Sequence, residues 1–169
     1  MIALFLQELH DPKYVHVLIN PLPIYGLVIG IIGLIIALIQ RSRPAQVATL
    51  ALIFLAAISA WPVAHYGEEG YDIALSLSDD PGGAWLKAHE HRADQLIWSF
   101  YVLAALAVAA MVAPLKWPKL RVSLTSITLA FAFVALGMGG YIAYAGGRVR
   151  HPEFRHEPPP AVPVEEEKE

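Results

Sequence analysis

The sequence predicts an all-α membrane protein whose four transmembrane helices form an antiparallel bundle, with both termini on the same side. The first observation is composition: 56% of the 169 residues are hydrophobic and only 16% are charged, whereas roughly a quarter of a soluble domain is charged. The second is that four stretches contain no Asp, Glu, Lys or Arg: Tyr14 to Gln40, Pro44 to Gly67, Gln95 to Leu115 and Val122 to Gly147. Each exceeds the roughly 20 apolar residues that cross a bilayer as a helix. A soluble enzyme, a nucleic-acid-binding protein and a disordered scaffold are therefore excluded.

The predicted organisation has three parts. An N-terminal segment covers residues 1–21, and a transmembrane domain covers 22–147, with a long loop at 67–93 and spans at about 22–40, 46–66, 94–115 and 122–146. Residues 148–169 form a tail that contains several prolines and a run of glutamates, a composition typical of disorder.

The individual spans carry recognisable helix signals. Pro21 and Pro23 stand at the start of the first helix. Proline is tolerated there because the N–H that it lacks would have no partner within the helix. Pro62 leaves the carbonyl of Ile58 without its usual donor, so we expect the second helix to bend there. Small residues that allow close helix contact recur at short intervals, which predicts intramolecular seams. They are Gly26, Gly30 and Gly33 in helix one, Ala105, Ala109 and Ala113 in helix three, and Gly139, Ala143 and Gly147 in helix four.

The charges favour one orientation. The two short connections carry five basic and no acidic residues, whereas the termini and the long loop carry seven basic and all fifteen acidic residues, so the two faces have charges of +5 and −8. Dense basic charge in short loops marks the cytoplasmic side. The sequence therefore predicts a multi-pass inner-membrane protein with both termini in the periplasm.

All seven histidines fall on the long-loop face or at its membrane edge. His65 is followed by Glu69 and Asp72 at helical spacing, and His91 is followed by Asp94, so imidazole and carboxylate groups share a helix face. Two opposed imidazoles suit a b-type haem, and imidazole with carboxylate suits a transition metal. The candidate haem ligands are His16, His65, His91 and His151, and the candidate metal ligands are His65, Glu69, Asp72, His89, His91 and Asp94. The alternative is that these groups bind only water, lipid headgroups and one another, without a cofactor.

Enzymatic motifs are missing from the sequence. There is no GxSxG elbow, no HExxH pair and no phosphate-binding glycine loop, and the absence of cysteine excludes thiol chemistry. Gly137, Gly139 and Gly140 lie inside a span and are interpreted as packing residues. The sequence favours a protein that is not an enzyme and predicts no catalytic residue.

Two short motifs resemble those of a bacterial membrane family, domain of unknown function 2231. HVLINPLPI, residues 16–24, resembles that family's HPLLVHFPI opening, and GGYIAYAGGRVRH, at the end of the last span, resembles its closing pattern. The resemblance covers about residues 10–151. It implies functional positions at His16, Pro23, Gly146, Gly147 and His151, although Pro21 stands where the family has a second histidine. The family is similar in layout to small four-helix cytochrome b proteins, which implies haem.

These observations lead to three functional hypotheses. The first is a redox or electron-transfer accessory that binds haem b or a transition metal at the long-loop face. The second is a non-catalytic accessory or scaffold subunit, which would dock on other membrane proteins or on a second copy through its small-residue stripes and acidic tail. The third is a carrier of metal ions or protons. All three place the protein in a lipid bilayer and exclude nucleic acid as a partner.

Overall fold

The computed structural model describes residues 6–161, and this part of the chain contains no β-strand. The last eight residues of the predicted tail, with its glutamate run, lie outside the described residues, as do the first five of the N-terminal segment. The α-helices are α1 (Pro12–Ile19), α2 (Pro21–Ile39), α3 (Arg43–Ile58), α4 (Ala60–Glu69), α5 (Tyr71–Ser76), α6 (Asp80–Leu96), α7 (Trp98–Lys116) and α8 (Arg121–Arg150). Short 3₁₀ helices cover Pro118–Leu120 and Pro152–Phe154.

Four helical stretches are long and apolar enough to cross a membrane. They are Pro12–Ile39, Arg43–Glu69, Asp80–Lys116 and Pro118–Arg150, which we call spans 1 to 4. The prediction of an all-α protein with four such helices is confirmed. Every span is longer than predicted, because the helices continue past the uncharged stretches into segments that carry charge and histidine.

The spans form a ring in which each packs on the next and span 4 returns to span 1. Leu27 and Leu34 of α2 meet Leu50 and Ile53 of α3 in the centre, and Leu103 of α7 completes this layer. Small buried residues from α7 and α8 fill the remaining space: Ala104, Ala107, Ala110, Ala132 and Ala135. Large apolar side chains such as Ile29, Leu55 and Phe133 point outward, as expected where lipid replaces water.

The small residues of helix one form the predicted seam. A methyl group at Gly26 would lie 2.7 Å from Cβ of Ala56, and one at Gly30 would lie 2.6 Å from Ile53. Without side chains there, α2 and α3 approach closely, which is how membrane helices gain packing contacts. For helix three the prediction is wrong: Ala105 is exposed, and Ala104, Ala107 and Ala110 face the core instead.

Three spans are interrupted near the same end of the bundle, at Asn20, Ser59 and Ile97. The interruption at Ser59 lies next to Ile58. The carbonyl of Ile58 has no backbone donor, because Pro62 lacks an N–H, and the sequence predicted a bend at this point. At the opposite end, Pro114 frees the carbonyl of Ala110, and Nη2 of Arg43 donates to the carbonyls of Ala110 and Met111 at 3.3 and 2.7 Å.

The predicted loop and tail are more ordered than the sequence suggested. The loop at 67–93 contains α5 and the first part of α6, which begins at Asp80. At the tail, α8 continues to Arg150, and Val149 is buried against α6. Arg155 then donates to both carboxylate oxygens of Asp79 at 2.7 and 3.0 Å. The first residues of the tail are thus fixed to the start of span 3.

Candidate functional site

Two histidines face each other where the spans come together at one end of the bundle, which we call the histidine end. His16 lies on α1, at the start of span 1, and Nδ1 of its ring is 2.8 Å from the carbonyl of Val63 in α4. His89 lies on α6, in the first half of span 3, and its Nδ1 is 2.9 Å from the carbonyl of Ile142 in α8. A carbonyl only accepts, so Nδ1 carries the proton in both rings. In the neutral imidazole this leaves Nε2 with a lone pair.

A glycine lies against each ring. A methyl group at Gly67 would lie 3.0 Å from Nδ1 of His16, and one at Gly146 would lie 3.0 Å from Nδ1 of His89. In both cases the glycine follows the accepting carbonyl by four residues, one helical turn later. Spans 1 and 2 form the first half of the chain, and spans 3 and 4 form the second half. The two halves therefore hold their histidines in the same way, with a carbonyl that fixes the ring and a glycine that leaves room for it.

The imidazole rings of His16 and His89 are close. Their centroids are 6.3 Å apart and their planes are inclined at 77°. Both rings line the same two cavities, one of about 100 Å³ and one of about 770 Å³. Two imidazoles, each oriented by a backbone carbonyl, thus border a common space.

The larger cavity is a groove lined by residues of all four spans, among them Ala60 of span 2 and Phe100 of span 3. Its volume of about 770 Å³ lies within the range of small-molecule and cofactor sites, roughly 300–1,000 Å³. Its walls are mainly apolar or small, including Pro23, Ile24, Ala60, Val63, Ile97, Gly139, Ala143 and Gly146. The charged side chains on its lining, Glu8, Asp11, Lys13 and Arg150, lie at the histidine end. The groove therefore combines an apolar body with a charged mouth.

The smaller cavity is polar on one side. It is lined by the carboxylates of Glu68, Glu90 and Asp94 and by Lys13 and Tyr71. Burial and the neighbouring Glu90, which accepts a hydrogen bond from the phenol, raise the pKa of Tyr71 to about 12. Tyr71 therefore stays protonated at neutral pH and donates to this carboxylate.

Two buried cations lie on the two helices that hold His89 in place, Arg92 on α6 and Arg148 on α8. Arg92 and Arg148 are each 8% exposed. The Cζ atom of Arg92 lies 3.8 Å from the ring centroid of Tyr141, and that of Arg148 lies 3.4 Å from the ring centroid of Tyr144. Each arginine also donates through Nη1 to the carbonyl of the tyrosine that it covers, at 3.0 Å. These contacts hold two guanidinium groups against α8 without involving a carboxylate.

Of the four predicted haem ligands, only His16 lies at the centre of the site. His151 lies at the rim of the groove, where its Nδ1 is 2.9 Å from a carboxylate oxygen of Glu153. His65 is exposed, stacks on Trp61 and lies 3.5 Å from Glu69. His91 lines neither cavity.

The six predicted metal ligands do not converge. His65 and Glu69 form their own pair on the surface, whereas His89 and Asp94 line the smaller cavity, which Asp72 and His91 do not reach. Within residues 6–161, no group of three or more His, Cys, Asp or Glu side chains is placed to hold a metal ion.

The pairing of His16 with His89 could not be predicted from helix periodicity, because periodicity relates residues on one helix and these two residues lie on different helices. The sequence placed His16 among the candidate haem ligands and His89 among the candidate metal ligands, without linking the two. A comparison of the two halves of the chain contains a usable signal. His16 and His89 each occur early in an odd-numbered span, and Gly67 and Gly146 each occur late in the even-numbered span that follows.

No family model, curated protein or solved structure matches the chain. The resemblance to domain of unknown function 2231 therefore stays a prediction, and the function is argued from the site alone.

Proposed function

We propose that the protein is a membrane-embedded redox or electron-transfer accessory that binds haem b, which His16 and His89 would hold through their imidazoles. The observation that carries this proposal is the facing pair of imidazoles, each fixed through Nδ1 by a backbone carbonyl. A hydrogen bond from the other ring nitrogen to a carbonyl is the usual outer-shell arrangement of a metal-binding histidine, because it fixes the tautomer and orients the lone pair.

The number of ligands favours haem over a bare transition metal. A protein-held cation needs three or four side-chain ligands, and residues 6–161 place no such set together. A haem brings four nitrogens of its own and requires two axial ligands at most. The 6.3 Å between the ring centroids suits two imidazoles on one metal, because each metal–nitrogen bond is about 2 Å long.

The groove supports the same ligand. Its lining is mainly apolar, as the apolar body of a porphyrin ring requires. At its mouth, Lys13 and Arg150, which lie among the acidic side chains of Glu8 and Asp11, would supply positive charge for the two carboxylates of haem. This would orient the carboxylates toward the histidine end, which the charge distribution of the sequence assigns to the periplasmic side. Haem would supply one-electron chemistry at that face of the membrane.

Absorbance spectroscopy of alanine variants tests the proposal. Protein purified from cells supplied with haem precursor should show a Soret band, and His16→Ala and His89→Ala should each lose the low-spin spectrum of two axial imidazoles. The matched controls are His65→Ala and His91→Ala, which should keep the spectrum because neither residue touches the groove. A wild-type protein without a Soret band, or a spectrum that survives both central substitutions together, would contradict the proposal.

The orientation is tested separately. A reporter that is active only outside the cytoplasm, fused after Glu169, should be active, and the same reporter placed after Arg41 should be silent. The reverse pattern would place the histidine end in the cytoplasm without affecting the haem proposal.

A further inference from the structure

We propose that Arg92 tunes the reduction potential of this site: its buried positive charge raises the potential of a haem held by His16 and His89. The inference rests on the proposed function and assigns to one side chain the control of how readily the site accepts an electron.

Arg92 is a buried cation, held by an aromatic ring and a carbonyl. It is 8% exposed, and none of the ion pairs found within residues 6–161 includes it. Its positive charge is stabilised instead by the face of the Tyr141 ring and by the carbonyl of the same residue. Since an arginine stays protonated in proteins, the charge is permanent.

The position of Arg92 relates it directly to His89. The two residues are three apart on α6, so their side chains leave neighbouring points of one helix face. They also bond to consecutive carbonyls of α8, His89 to Ile142 and Arg92 to Tyr141. The fixed cation therefore lies one helical turn from the proposed axial ligand.

A fixed charge at such a position shifts the equilibrium between oxidised and reduced haem through its Coulomb interaction with the added electron. Reduction of a haem adds one negative charge, which a nearby cation stabilises. For charges roughly 10 Å apart at an effective dielectric constant of about 20, the ratio of reduced to oxidised forms changes by on the order of tenfold. Exposed charges at similar distances are largely screened by water and salt.

The first half of the chain has no cation at the position equivalent to Arg92; its lysine near the site, Lys13, precedes His16 by three residues. Three residues after His16 the chain has Ile19, which is half-buried and apolar. The cation is therefore not part of the shared arrangement that fixes the two histidines. It is a feature added on the His89 side, as expected of a residue that adjusts the site rather than builds it.

Redox titration of the purified haem-loaded protein tests this inference. Arg92→Gln should lower the midpoint potential, with about a tenfold decrease in the reduced-to-oxidised ratio at a fixed potential, while the low-spin spectrum stays unchanged. Arg92→Lys should keep most of the wild-type value. Lys87→Gln is the matched control, since it removes an exposed positive charge two residues before His89 and should have little effect.

Two further variants separate charge from contact. Tyr141→Leu removes the ring that Arg92 covers but keeps the cation, so it should leave the potential near the wild-type value. Ile19→Lys adds a cation at the equivalent position of the other half and should raise the potential, which provides a test even if Arg92→Gln fails to fold. The inference is overturned if Arg92→Gln leaves the potential unchanged, if Tyr141→Leu shifts it equally, or if Ile19→Lys has no effect. A wild-type protein that binds no haem removes the proposed function itself, and this inference with it.

Discussion

The two halves of the chain hold a histidine with the same local chemistry but anchor it to different degrees. His16 and His89 each donate to a carbonyl of the following span, and each rests on a glycine one turn beyond that carbonyl. The helix that carries His16, α1, buries none of its residues, whereas α6 buries Trp85, Leu86 and Ala88 around His89. Span 4, which receives His89, runs as one helix from Arg121 to Arg150, while span 2 is interrupted at Ser59. The arrangement around His89 thus rests on well-packed helices, and we call this second half the rigid half. The arrangement around His16 rests on a less buried helix.

This difference has a consequence for a shared ligand. The His89 side fixes its position, and the His16 side can adjust to it, because few buried contacts oppose a small shift of α1. The second half of the chain would accordingly position a ligand that both histidines bind, and the first half would adjust to it.

The largest expected effect comes from removing the anchor of the rigid half. Trp85 is 1% exposed and packs on Tyr144 and Arg148, so Trp85→Ala should lower the free energy of unfolding by about 3–5 kcal/mol. The first half offers a matched control in Trp61, which is 60% exposed, and Trp61→Ala should cost much less. Unfolding in detergent, followed by circular dichroism, gives both values. Equal losses would show that the two halves are anchored alike.

A smaller effect distinguishes the two glycines. Gly146→Ala and Gly67→Ala each place a methyl group 3.0 Å from an imidazole nitrogen, so the ring must move. The cost should reach about 1–3 kcal/mol at Gly146, because α6 cannot yield, and should be less at Gly67. Gly147→Ala is the control, since a methyl group there meets open space. A larger loss at Gly67 than at Gly146, measured by the same unfolding assay, would reverse the assignment of the rigid half.

The smallest effect concerns the ion pair that ties the tail to the second half. The hydrogen bonds from Arg155 hold the pKa of the exposed Asp79 carboxyl below its ordinary value. The pair therefore contributes fully above the unfolded pKa of about 3.9 and is lost as the pH falls through the lower folded value. Because the chain lacks cysteine, a spin label on Pro159→Cys can report this release at acidic pH.

The matched variants give the same comparison at neutral pH. Asp79→Asn should increase the mobility of the label, while Asp80→Asn, at the neighbouring exposed position, should not. A label that is equally immobile in Asp79→Asn would mean that the tail is held by its other contacts alone.

Much of the fold could be predicted from the sequence because a bilayer constrains composition so strongly. Uncharged stretches of 20 or more residues must be helices in lipid, so the four spans follow from the positions of charged residues alone. The seam at Gly26 and Gly30 also follows from composition, since glycines at short helical intervals permit close approach. The seam predicted from the alanine stripe of helix three was wrong. Alanine occurs on several faces of that helix, and the sequence contains no signal for which face is turned inward.

The candidate site was only partly predictable, and the division between sequence and structure has a clear physical cause. The sequence alone determined that the chain has four spans and that its histidines gather at one end, because both depend on how polar residues are distributed along the chain. Only the tertiary structure decided that His16 pairs with His89 while His65 and His91 do not join them. That choice depends on the rotation of each helix about its axis and on the carbonyls of Val63 and Ile142, and since every residue has a carbonyl, such acceptors leave no trace in the amino-acid sequence.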